Sequence, residues 1–114
     1  MSEMSWVEAT YYDGGFAHRE SKCVFFISCH DGKLQEGKWF GYFLNDGVTS
    51  PFILNRGTEL FFGDEEHYRE TTNLAKINIR EGEYFTVAVP SGDADEGEYT
   101  YCITRIVNTP FTHR

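Results

Sequence analysis

Turn-forming residues cut this chain at short intervals, and that spacing most limits what it can fold into. Asp13-Gly14-Gly15, Asp31-Gly32, Glu36-Gly37, Asp46-Gly47, Arg56-Gly57, Gly63-Asp64, Glu81-Gly82, Ser91-Gly92 and Glu96-Gly97 follow one another along the sequence. Gly adopts positive φ without steric cost and Asp tolerates it, so these are turns by mechanism. Of the 11 glycines, only Gly41 lies inside an extended run. Between the turns, apolar residues recur with period two or in short aromatic and β-branched runs. Strands are expected near 5–12, 22–30, 38–45, 51–54, 58–63, 73–79, 83–90 and 98–107. Pro51 restricts the fourth to a strand start or an edge. Residues 64–72 could form one helical turn with Asp64 as N-cap. Eight short antiparallel strands in 114 residues predict a single all-β domain over 1–114, a β-sandwich of seven to eight strands.

Period two also assigns faces. In the second strand Cys23, Phe25, Ile27 and Cys29 share one side and Val24, Phe26 and Ser28 the other, the pattern of a central strand. In the last strand Tyr99, Tyr101, Ile103 and Val107 align, and Arg105 falls in their row and must reach solvent or a carboxylate. Phe25, Ile27, Phe43, Phe62, Ile77, Tyr84, Val87 and Ile103 are the expected core.

Composition narrows the function classes. Hydrophobic residues make up 40% and aromatic residues 17% of the chain, too apolar for a disordered one. No run approaches the length of a membrane-spanning helix, and Met1–Ser5 has neither the basic start nor the apolar segment of a secretory signal. Three cysteines without such a signal imply reduced thiols and a cytoplasmic location. Cys23 and Cys29 on one strand stand roughly 20 Å apart, whereas a disulfide spans at most about 7 Å. The net charge of −8 argues against nucleic-acid binding, which needs basic patches.

The last third carries an ordered set of motifs. Arg69-Glu70 precedes an alternating run, Leu74 to Ile79. Gly82-Glu83-Tyr84 opens an aromatic strand that stops at Pro90-Ser91, and Glu96-Gly97 leads to a final strand with Tyr99 and Arg105. Upstream, Glu20-Ser21-Lys22-Cys23 precedes an apolar strand. This order resembles the calpain-type β-sandwich, the C2-like domain that follows the calpain protease core. It covers about a third of the chain well. Gly92 stands where the family pattern has Thr, the run from Tyr84 to Pro90 is two residues longer, and Arg105 is offset. The resemblance implies a non-catalytic regulatory or scaffold module that binds a protein partner, with a Ca²⁺ and phospholipid response.

Catalytic and metal chemistry find little footing. Cys29 and His30 are adjacent, so on a strand their side chains point to opposite faces and cannot form a nucleophile–base dyad. His18, His30, His67 and His113 are scattered and no Cys-x-x-Cys occurs, against structural zinc. Gly14-Gly15 lacks the Lys-Ser/Thr of a phosphate loop. The chain therefore reads as a non-enzyme without a resident cofactor. Calcium alone merits weighing, because it needs several converging carboxylates. If eight strands alternate in direction, the connections 13–21, 45–50, 63–72 and 90–97 share one end. They hold Asp13, Glu20, Asp46, Asp64, Glu65, Glu66, Asp93, Asp95 and Glu96. Asp64, Glu65, Asp93, Asp95 and Glu96 are the candidate Ca²⁺ ligands, and membrane contact would be peripheral and Ca²⁺-dependent. The opposite end mixes Asp31, Glu36 and Glu81 with Lys33, Lys38, Arg56 and Arg80. Two other readings compete: a small inhibitor or immunity-type protein laying its acidic face over a basic partner site, and a small-ligand binder using an aromatic interior.

Overall fold

A computed structural model describes residues 3–63, 69–88 and 97–109. Nine strands carry the fold: β1 (Glu3–Asp13), β2 (Phe16–His30), β3 (Lys33–Leu34), β4 (Lys38–Asn45), β5 (Val48–Asn55), β6 (Glu59–Phe61), β7 (Arg69–Thr72), β8 (Tyr84–Ala88) and β9 (Glu98–Thr109). All pairings are antiparallel, in the order β1-β9-β8-β7-β6-β5-β4-β2, with β3 added beside β2. β1 also pairs with β2 along its length, from Glu3↔Cys29 to Asp13↔Phe16. The sheet therefore closes on itself.

That closure corrects the expected sandwich to an eight-stranded up-and-down barrel. A sandwich leaves two sheets with free edges. Here the strand that would be an edge, β1, is bonded on both sides, to β2 and to β9. Long first, second and last strands make closure feasible, and closure removes the exposed edges that invite aggregation.

Parity fills the interior. Val7, Ala9, Cys23, Phe25, Ile27, Phe52, Leu54, Leu60, Phe85, Val87, Tyr101 and Ile103 are buried in one cluster. Of the expected core, Phe25, Ile27, Val87 and Ile103 are buried, while Phe43, Phe62 and Ile77 are partly buried against that cluster. Tyr84 is a correction. It is 51% exposed and points outward, because it lies three residues from inward Val87 and a strand alternates every residue. Its neighbour Phe85 is inside and crosses the barrel to meet Phe25 edge-on at 5.8 Å between ring centroids.

Arg105 escapes the interior through a bulge. Glu8 pairs with Arg105 but Ala9 pairs with Ile103, so Thr104 is an extra residue and parity flips beyond it. Ile106 then packs against the core, and Arg105 reaches the Glu8 carboxylate at 3.9 Å. Gly41 faces inward beneath Phe52. A Cβ there would lie 2.5 Å from both the Phe52 ring and the Val24 carbonyl oxygen, so the layer closes only with glycine.

The run 73–79 is not a strand. Leu74–Lys76 form a 3-10 turn, and the true strand is Arg69–Thr72, within the segment expected to be helical; Asp64, its expected cap, lies outside the described residues. Buried Leu74 and Ile79 are five residues apart, which no strand period allows. The segment is a strap across one end of the barrel. Ala75 N–H donates to the Gly57 carbonyl at 3.1 Å and Ile79 N–H to the Gly32 carbonyl at 2.7 Å. Both acceptors lie in turns at that end. The strap with its inserted Leu74 plugs it.

Candidate functional site

The opposite end gathers the β1–β2 and β4–β5 turns and the strand ends that flank the β6–β7 and β8–β9 connections. Of the two strands expected between the acidic segments, 83–90 contains β8 (Tyr84–Ala88), whereas 73–79 gives way to β7 (Arg69–Thr72), so the described strand ends that flank both segments still fall at this end. The 13–21 loop dissolves, because β2 starts at Phe16 after a turn at Gly14-Gly15 and Glu20 lies in the strand. Asp46 caps the β4–β5 turn in a left-handed conformation, φ 49°. All five candidate Ca²⁺ ligands, Asp64, Glu65, Asp93, Asp95 and Glu96, lie outside the described residues. Among the described residues no three His, Cys, Asp or Glu side chains are placed to share a metal ion.

A cavity of about 760 Å³ opens at this end. Its aromatic wall is a chain of ring contacts. Tyr11 on β1 meets Tyr99 and Tyr101 on β9 at 5.9 and 5.6 Å. Tyr101 meets Phe43 on β4 at 5.7 Å, and Phe43 stacks on Phe62 at 5.9 Å. Such spacings are those of favourable aromatic pairs. Ser21, Asn45, Thr49 and Ser50 form a polar rim, where the Ser21 hydroxyl donates to Asn45 Oδ1 at 2.6 Å. An eight-stranded barrel is just wide enough to be filled or to hold one small ligand. Here the core side chains of the strands, with Leu74 and Ile79 of the strap, fill the barrel toward one end, and the cavity opens at the other.

Glu70 lines this cavity. It pairs with inward Leu60 on β6, so register directs it into the barrel, while Arg69 and Thr71 face out. Of the described lining residues it is the one with a carboxyl side chain, and none is Lys, Arg or His. Its field is felt inside: burial chiefly, then Cys23 and Glu70, push the Tyr101 phenol well above its ordinary range. The sequence held a signal for this carboxylate. Glu70 and Thr72 alternate with Arg69 and Thr71 as a strand requires, but a helical reading of 64–72 hid the pattern.

Two of the three thiols are held toward the protonated form by burial. Burial, with Glu70 adding, holds Cys23 protonated, and burial raises Cys29 to about 11. All three cysteines are free. His30 is exposed and turns to Asp31 at 3.5 Å, away from inward Cys29. A second hollow of about 670 Å³ beside the strap is lined by residues of both charges, including Asp31, Arg80 and Glu81.

No protein-family model matches the chain, and no curated protein or solved structure matches it. The calpain-type likeness therefore stands on the quoted residues alone, and its implied sandwich differs from the closed barrel. No helix among the described residues is long and apolar enough to cross a membrane.

Proposed function

We propose that this barrel is a non-catalytic binding module that takes a small, largely aromatic or apolar molecule into its open end. The observation that carries this reading is the 760 Å³ cavity, inside the 300–1,000 Å³ range usual for small-ligand sites. Five rings supply the apolar contact, and hydroxyl and amide groups at the rim supply orientation. The regulatory-module and inhibitor readings place recognition on the outside instead, and the acidic segments they depend on lie outside the described residues.

Titration with a neutral aromatic alcohol, tryptophol, followed by amide chemical shifts, tests the reading. Shifts should concentrate at Tyr11, Phe43, Val87, Tyr99 and Tyr101. Ser50 is an exposed rim residue, so Ser50→Trp should fill the mouth without touching the core and abolish them. No shift at millimolar ligand in the wild type would end the proposal.

The expected protein partner has a separate support on the outer wall. Register aligns Phe61, Ile53, Phe40, Phe26, Trp6 and Val107 in one outward row across six strands. Phe40 is 69%, Ile53 40% and Trp6 37% exposed. With large side chains presenting up to about 150–250 Å² each, the row offers on the order of 400 Å² of apolar surface. That is about half of what each partner contributes to a standard interface, and Tyr42 and Pro51 in the flanking row supply more. The charges that border it are internally matched, Glu8 with Arg105 and Glu59 with Arg69. A like-charged second copy can therefore approach this wall, and a second copy is the occupant we infer. Sedimentation at tens of micromolar should give a dimer, and Phe40→Ser should give a monomer. A monomeric wild type at 100 μM would contradict it.

A further inference from the structure

The cavity wall continues past its rim onto two hairpin tips, and the order of side chains on the way out selects the ligand's chemistry. We propose that the ligand class is a neutral carbonyl compound, an ester or amide, that joins two apolar groups. This rests on the reading of the cavity as a ligand site.

The first observation is a parity change. Thr10 pairs with Lys22 but Tyr11 pairs with His18, so Arg19, Glu20 and Ser21 are extra residues on β2. An odd insertion flips the faces of the strand beyond it. Cys23, Phe25 and Ile27 face the core below the bulge, and His18 and Phe16 take the inward row above it. The His18 ring agrees, lying 5.2 Å from that of Tyr11, which lines the cavity. A regular strand would have turned Ala17 and Arg19 inward instead.

Second, β5 repeats the order of β2. From the core outward the inward row of β2 reads Phe25, Cys23, Ser21, then His18 and Phe16, and that of β5 reads Phe52, Ser50 and Val48. The two strands flank β4, whose row carries Phe43 and then Asn45. Each flanking strand thus starts apolar, turns polar at the rim and ends on a large apolar side chain. Phe16 and Val48 are mostly exposed although they stand on inward rows. A ligand that reaches beyond the rim would cover them, and burial of apolar surface is favourable.

Third, the polar band offers donors. The Ser21 hydroxyl donates to Asn45 Oδ1 at 2.6 Å, which occupies the Asn45 carbonyl and leaves its N–H₂ group, with the Ser50 hydroxyl, as the groups that can donate to a ligand. A carbonyl oxygen accepts such bonds. A hydrocarbon would desolvate this band without satisfying it. The described lining holds no Lys, Arg or His to pair with an anion, so the carbonyl belongs to an ester or amide rather than to a carboxylate.

A phenethyl series tests this by calorimetry and amide shifts: phenethyl butyrate, phenethyl acetate, which is two methylenes shorter, and butyl phenethyl ether, which lacks the carbonyl. The butyrate should shift the amides of Tyr11 and Tyr101 and also those of Gly15, Phe16 and Gly47 at the tips. It should bind about fivefold tighter than the acetate, given roughly fourfold per fully buried methylene and partial cover at the tips. It should bind about fivefold tighter than the ether, as one net hydrogen bond allows. The double variant Phe16→Ser/Val48→Ser alters two exposed side chains, so its unfolding midpoint should stay with the wild type. It should lower the butyrate to the affinity of the acetate and leave the acetate unchanged. If butyrate and acetate bind alike, or if the double variant holds the butyrate as the wild type does, the outer apolar contact is overturned and the cavity reading stands. An ether as tight as the butyrate overturns the carbonyl class. If none of the three shifts the cavity amides, both this proposal and the cavity reading fall.

Discussion

The barrel has two unequal sides. One is made of long strands, β1 with 11 residues, β2 with 15 and β9 with 12. The other is made of β6, β7 and β8, with 3, 4 and 5 described residues, β7 beginning and β8 ending at the limit of the described residues. Among the described residues β7 and β8 pair through Thr71↔Ala88 and Thr72↔Val87. Side chains reinforce this ladder. Thr72 Oγ1 donates to the Thr86 carbonyl at 2.7 Å, and Asn73 Oδ1 accepts from Thr86 N–H at 2.9 Å. The outward apolar row runs from β9 across the long side and ends at Phe61 on β6, and the short side carries Glu70 and Val87 of the cavity. The contrast teaches that closure and access are divided. Long paired strands hold the barrel shut, and a wall with fewer pairings among the described residues borders the hollow.

The largest effect should come from cutting the contact that joins the two sides. Phe25→Ala and Phe85→Ala should each cost about 3–5 kcal/mol in denaturant unfolding, as buried aromatics do. The double variant should show a coupling of about 0.5–1.5 kcal/mol. Purely additive losses would mean that the sides fold as independent units.

Next comes the plug. Gly57 has φ 71°, and a Cβ there would meet Leu34 Cδ2 at 2.5 Å and Ala75 Cβ at 2.9 Å. Left-handed backbone strain and overpacking together predict about 2–4 kcal/mol for Gly57→Ala. A urea midpoint within error of wild type would show that the strap is not seated on that turn.

Within the short wall, Thr72→Val keeps the side-chain shape but deletes the hydroxyl that supplements the ladder. The expected loss is about 1 kcal/mol, checked by the same unfolding curve. A neutral result would mean the wall does not depend on side-chain bonds.

The smallest effect is expected at the surface of the long side. Arg105 and Glu8 stand 3.9 Å apart with the arginine side chain mostly exposed. Arg105→Ala should shift stability by less than about 0.5 kcal/mol. A loss above 1 kcal/mol would make the bulge at Thr104 dependent on the ion pair.

Much of the long side was legible in the sequence, because β2, β4 and β9 alternate cleanly between Gly turns and their faces follow from period two. What the pattern could not supply was closure. Whether eight strands make two sheets or one ring depends on β1 meeting β9, a contact between residues such as Trp6 and Val107 at opposite ends of the chain. The short side misled for a local reason. Leu74 to Ile79 imitates a strand, yet Leu74 enters the core from a 3-10 turn. The polar Arg69–Thr72 is a strand only because neighbours on both sides complete its ladder. Tertiary context overrides propensity there. Glu70 lines the cavity because Arg69–Thr72 is a strand, and a helical turn over 64–72 gives no sign of that inward direction.

Amide hydrogen exchange tests the division of the two sides most directly. Residues of β1, β2 and β4, such as Val7, Val24 and Phe25, should exchange near the global unfolding limit. Thr71, Thr72, Thr86 and Val87 should open locally and exchange faster by orders of magnitude, and a bound aromatic ligand should slow those four selectively. Uniform protection around the ring, unchanged by ligand, would contradict the account.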